Sequence, residues 1–218
     1  MIKNQKYIFL YALVLTVIVF NIGIFMGYML ETSRINKINS LYLNTEIELL
    51  DQIIQKEASG VLSPSCKILI EENIKFGDSI YAEAQIIEEY ENANQMSAEI
   101  EFQHKRFDLL RTLFLTNSIK IKQGCNSSYH NIVYLYQYND PDTAQSSKQR
   151  FFSNALRELK EKYGSEIMLI PIAGDNDIPS VNLLRDNYNI TQLPSVLIDE
   201  KVVLTEIGSL EELENYLN

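Results

Sequence analysis

Cysteine and histidine are scarce in this chain: Cys66, Cys125, His104 and His130 are the only ones in 218 residues. Two of each, so widely separated, cannot build a Cys/His zinc site of the usual spacing. Cations are short as well, with 19 Lys and Arg against 29 Asp and Glu and a formal net charge of −10. That balance leaves no electrostatic footprint for nucleic acid and disfavours close docking onto anionic lipid headgroups. From Tyr7 to Leu30 formal charge is missing altogether, with Lys6 and Glu31 as the brackets.

At 1.5 Å per residue that uncharged run reaches roughly 36 Å, enough to cross a hydrocarbon core of about 30 Å with some tilt. A soluble helix of this length would keep a polar side. Tyr7, Tyr11 and Tyr28 lie near its ends, where amphipathic rings favour the headgroup region. No A-x-A-like site follows, and the run exceeds a signal-peptide h-region, so an uncleaved signal-anchor is expected over a cleaved leader. Lys3 and Lys6 precede it, while Arg34 and Lys37 follow, offset by Glu31; the bias leans toward a cytoplasmic N-terminus and an extracytoplasmic body. Gly23 and Gly27 form a G-x-x-x-G within it, a motif that lets two membrane helices approach and offers a homodimer contact.

Beyond the anchor, helical character is expected over 31–57, where Leu43, Ile47, Leu50 and Ile54 recur at intervals of 4, 3 and 4 with Glu46, Glu48 and Asp51 off the stripe. Ala58-Ser59-Gly60 breaks it, and Ser63-Pro64 reads as an N-cap with proline at the first helical position. Two long helices then fill 63–124, joined by a polar connector around Asn94, with Gly124 as the expected C′ residue of the second. Arms of near-equal length with a short connector pack antiparallel. Cys66 and Cys125 then fall at the same end. A disulfide there would close a loop of about 60 residues, for which chain entropy gives roughly 4 kcal/mol. Two neighbouring buried thiols are the alternative, the normal state in a cytosolic protein.

From Tyr129 the pattern becomes alternating. Strands are expected at Asn131–Tyr138, Glu166–Ala173, Ser195–Asp199 and Lys201–Ile207, and helices at Lys148–Tyr163, Ile178–Tyr188 and Ser209–Leu217. The order β-α-β-α-β-β-α implies a four-stranded mixed sheet with helices on both faces. The fold class is therefore a single-pass anchor, a long helical hairpin and an α/β domain, divided as 1–6, 7–30, 31–57, 63–124 and 129–218.

Tyr188 to Asp199 (YNITQLPSVLID) resembles the helix end, loop and third strand of the thioredoxin-like superfamily, and Gly208 to Leu213 resembles its last turn and helix. The resemblance covers 131–218 and implies a cis peptide before Pro194. It also implies a groove at Leu193, Pro194 and Ser195 that takes extended polypeptide by backbone pairing. Active members carry Cys-x-x-Cys where the first helix opens; the slot corresponding to it is about Ser146, Ser147, Lys148 and Gln149. No cysteine occurs between 126 and 218, and a serine hydroxyl cannot take part in dithiol–disulfide exchange. A redox-inactive, non-enzymatic binding or scaffold domain is the expectation, with a protein or peptide partner, the lipid bilayer, no nucleic acid, no cofactor and no metal. An oxidoreductase or accessory working through Cys66 and Cys125, and an oligomeric coiled-coil stalk, are the alternatives.

The remaining candidates have ordinary readings. Asp140, Asp142, Asp175 and Asp177 carry the oxygen ligands a hard cation wants, but are expected as turn formers. Asn126-Ser127-Ser128 and Asn189-Ile190-Thr191 fit the glycosylation acceptor pattern. His104, beside Lys105 and Arg106, is expected on a solvated helix face, and His130 without an acid partner.

Overall fold

The computed structural model describes residues 3–57, 65–93 and 98–217. The expected break at Ala58-Ser59-Gly60, the Ser63-Pro64 helix start and the connector core at 94–97 lie outside the described residues. Helix α1 runs Lys3–Glu57 as one element, so the anchor and the juxtamembrane segment share a helix. Within it Tyr7–Ser33 is long and apolar enough to cross a membrane, and the side chains of 7–30 are all exposed.

The chain divides into two compact units, Met1–Leu41 and Tyr42–Asn218. In the second, α2 (Cys66–Ala93) and α3 (Ala98–Cys125) pair antiparallel: Cys66 meets Cys125, Asn73 meets Ser118, and the Phe76 and Phe114 rings meet edge to face at 5.2 Å. Gly77 suits the close approach of α2 to the sheet: a Cβ there would stand 2.6 Å from Met168 Sδ and 3.2 Å from the Phe114 ring, so both side chains would have to shift for a larger residue. The α3 terminus corrects the expectation at Gly124. Helix geometry continues through Cys125, and Asn126 takes the left-handed conformation with φ +49°. Ser127 N–H donates to Lys122 C=O at 3.2 Å, the closing bond of a Schellman motif with asparagine in place of glycine.

Strands β1 (His130–Tyr136), β2 (Ile167–Ala173), β3 (Ser195–Ile198) and β4 (Val202–Leu204) form one mixed sheet in the order β2-β1-β3-β4. β1 runs parallel to β2, and β3 runs antiparallel to both β1 and β4. The alternation of the strands gives the sheet two apolar faces. Ile132, Tyr134, Ile167, Leu169, Val196 and Ile198 pack with Phe152, Leu156 and Leu159 of α4 (Thr143–Tyr163) and Leu213 of α6 (Leu210–Glu214). On the opposite face β2 meets α2 and α3. The helix pair thus belongs to the same compact unit as the sheet. Helix α5 (Pro179–Asn187) contacts α3. Asp199 and Glu200, both with positive φ, turn β3 into β4, and Lys201 N–H closes on Ile198 C=O at 3.0 Å.

Candidate functional site

β1 ends at Tyr136, and the chain turns into α4 through a polar stretch. Asp142 caps α4, its Oδ1 accepting from Gln145 N–H at 2.8 Å, so α4 opens at Thr143 and not at the expected Lys148. The slot expected at Ser146, Ser147, Lys148 and Gln149 falls within α4. It lies past the helix opening: Ser146 N–H already bonds Asp142 C=O, and Ser147 Oγ donates to Thr143 C=O. Neither the slot nor the opening contains a cysteine.

Opposite the α4 opening stands the Leu193–Pro194 peptide, which is cis. Pro194 and Ser195 are buried and Leu193 is half-buried. Gln145 Nε2 donates to Leu193 C=O at 2.7 Å, across 48 residues of sequence. In a capping box this glutamine would reach back to its own helix N-terminus; here it is turned outward onto the proline loop. Gln149 saturates Gln137, accepting from its N–H at 2.7 Å and donating to its C=O at 3.1 Å. Leu193 also rests on Gly174, where a Cβ would come within 2.8 Å of Leu193 Cδ2. Of the groove candidates, Leu193 is brought together with α4 through Gln145, while Gln149 holds both backbone groups of Gln137. The sequence signal for Gln145 was its position three residues after Asp142, the cap spacing.

Behind this rim lies a buried polar cluster that sequence reasoning missed. His104, expected on a solvated face, is 3% exposed; its ring stacks on Tyr138 at 3.8 Å and shares a 3.0 Å hydrogen bond with Tyr136 Oη. Asp108, one helical turn on, is fully buried. It accepts from Ala173 N–H at 3.2 Å and Asn176 Nδ2 at 3.0 Å, with Arg111 at 3.6 Å and His104 at 3.4 Å. Burial raises the Asp108 pKa, against the pull of His104 and Arg111. Arg111 also covers the Phe107 ring at 3.9 Å. The cluster fixes α3 to the loop after β2 through Asp108, and leaves the buried Arg111 Nε without a hydrogen-bond partner. Its signal was the i, i+4, i+7 spacing of His104, Asp108 and Arg111 on one helix face.

A second cluster sits at the other end of β1. His130, expected to have no acid partner, places Nδ1 2.6 Å from Asp199 Oδ2, and Lys122 Nζ donates to Asp199 Oδ1 at 2.5 Å. Burial would raise the Asp199 pKa; hydrogen bonds from Lys122, His130 and Asn131 N–H outweigh it and leave the carboxyl below its ordinary range. Ser118 joins Asn73 to Asn131, and Asn131 Nδ2 donates to Glu200, whose pKa burial raises. The Cys66–Cys125 disulfide, with Cα atoms 5.4 Å apart, belongs to this end. β1 alone separates it from the proline loop by about 20 Å at roughly 3.3 Å per residue. A cleft of about 320 Å³ opens nearby, between Ile70, Ile74, Tyr129 and Tyr163.

Asp142 caps α4, Asp175 accepts from Tyr138 and Asn139 N–H, Asp177 accepts from Asn182, and Asp140 sits in a turn at φ +43°; all four are turn residues. Asn126 and Asn189 are exposed and both left-handed, at φ +49° and +53°. Nothing lies within 4 Å of a Cβ placed on Gly23 or Gly27. No family model, no curated protein and no solved structure matches this chain.

Proposed function

We propose that this chain is a membrane-anchored, redox-inactive protein of thioredoxin-like fold whose extracytoplasmic domain binds extended polypeptide at the proline loop. The observation that supports the reading is the Leu193–Pro194 loop at the start of β3, tied to the first turn of α4 by the Gln145 Nε2 to Leu193 C=O bond in a sheet of order β2-β1-β3-β4. The family's dithiol would stand at that opening, where this chain has Asp142, Thr143, Ala144 and Gln145. Both cysteines are committed about 20 Å away, in a bridge that suits an oxidising compartment. Retained groove and absent dithiol together favour recognition over turnover.

Leu193 C=O is the acceptor an incoming strand needs, and Gln145 holds it in the free protein. Gln145 is thus a cap that a bound peptide displaces with a backbone N–H of its own. The test is selection of peptides from a displayed library on the full chain in lipid nanodiscs. Selected peptides should bind more tightly to Gln145→Ala and more weakly to Pro194→Ala. A library that yields no binders, or binders indifferent to both substitutions, refutes the groove. Insulin reduction measured on the same preparation should stay at background; turnover abolished by Cys66→Ser would establish the oxidoreductase reading instead.

A further inference from the structure

The periodic stripe Leu43, Ile47, Leu50 and Ile54 is an apolar face, yet the folded unit does not use it. These four side chains are 50%, 65%, 50% and 63% exposed. Among the described side chains of 43–54, those buried are Thr45 and Leu49. Thr45 donates to Glu83 of α2, and Glu46 pairs with Arg106 of α3. At about 100° per residue the stripe spans roughly 60° of arc and is centred about 150° from Thr45 and Leu49. The body therefore holds the helix by one side and presents the stripe on the other.

We infer that the stripe docks a second copy of this chain, as a short parallel two-stranded coiled coil. The spacing places Ile47 and Ile54 at a positions and Leu43 and Leu50 at d positions. β-branched residues at a with leucine at d select two parallel strands over three or four. Charge at the flanks permits it. The one acid at a g position, Glu46, would face Asp51 of a second copy, and Arg106 already neutralises it. Four side chains are too few for a stable coiled coil of free chains. The contact becomes effective when α1 crosses a membrane, which orients every copy the same way and raises the local concentration of one stripe at another. The inference rests on the anchor reading in that respect, and does not depend on the peptide groove.

Single cysteines introduced into the full chain in its membrane test this. Cys66 and Cys125 are bridged to each other, so the introduced thiol is the reactive one. Oxidation should give disulfide-linked dimers for Leu43→Cys, Ile47→Cys, Leu50→Cys and Ile54→Cys, and none for Glu48→Cys on the flank. Adding Leu43→Asp and Leu50→Asp to Ile54→Cys should abolish its dimer, with the intact native bridge certifying the fold. No dimer at the stripe, equal yields at Ile47 and Glu48, or a product of other than twice the chain mass each overturn the proposal. Alkaline carbonate extraction reports the anchor separately: a chain that is extracted yet still crosslinks with this period loses the anchor and keeps the stripe.

Discussion

Lys160 is the buried cation whose removal should be most informative. Its side chain is 8% exposed, and Nζ donates to Gly164 C=O at 2.8 Å, to Ile167 C=O at 2.7 Å and to Asp78 Oδ1 at 2.6 Å. It thereby ties the end of α4, the start of β2 and α2 together. Lys160→Met keeps the length and removes the donor. Gly164 C=O retains Ile167 N–H, so the main loss is the donor to the buried Ile167 carbonyl and the charge assistance of that bond. A buried acceptor stripped of its donor costs about 1–3 kcal/mol, so about 2–3 kcal/mol is expected here. Asp78→Asn should cost about 1 kcal/mol or less, because that carboxylate is 42% exposed and water screens the pair. Urea unfolding of the full chain in detergent, followed by near-ultraviolet circular dichroism of its tyrosines, measures both. With a slope of about 2 kcal/mol per molar urea, the midpoint should fall by roughly 1 M or more for Lys160→Met and less than half that for Asp78→Asn. Equal losses would mean that the ion pair holds the corner, and a neutral Lys160→Met would mean that the amine is solvated in the native state.

Two further outcomes follow from the other end of the sheet. Reduction of Cys66–Cys125 releases a loop closed over a separation of 59, worth about 4 kcal/mol by chain entropy, and should lower the same midpoint by about 2 M urea; a shift under about 0.5 M would refute the staple. The folded Asp199 pKa lies below its unfolded value, so its contribution is present above the ordinary carboxylate range and is lost as pH falls through the lowered folded value. Asp199→Asn should flatten the acid limb of stability below about pH 4, and an unchanged limb would show that Lys122 and His130 do not hold the carboxylate.

The elements that came through from sequence are those whose signal is local. β1 is rich in β-branched and aromatic residues and β2 is an apolar run, and the structure places both within two residues of expectation. The bridge between Cys66 and Cys125 also came through, because two independent helix ends fixed the two positions. Where a polar side chain sets the local geometry or finds a partner in the fold, the reading failed. Asp142 hid in a stretch that composition marks as loop, which moved the α4 opening by five residues. His104 looked solvated beside Lys105 and Arg106, although the aromatic rings that enclose it, Tyr136 and Tyr138, arrive only when β1 docks. Asn126 took the left-handed position assigned to Gly124, since asparagine tolerates it and the helix had one more turn-closing bond to make.

The stripe on α1 shows what periodicity does and does not contain. A 4-3-4 recurrence of Leu and Ile specifies that one face of a helix is apolar; it carries no information about what covers that face. Within this unit the body is held through Thr45, Leu49 and the Glu46–Arg106 pair, none of which belongs to the stripe. A helix that spent its apolar face on its own domain would have buried Ile47 and Ile54 first, since each offers more apolar area than threonine. Their exposure therefore separates two recognition events on one helix. One is the attachment of α1 to its own unit through Thr45, Leu49 and Glu46. The other is apolar and outward, and its a/d chemistry is satisfied by a second α1. The proline loop is built on the same economy of partners: Leu193 C=O is satisfied internally by one amide, and that amide can yield. If both readings hold, stripe substitutions alter dimer yield without altering peptide affinity per chain, and Gln145→Ala does the reverse.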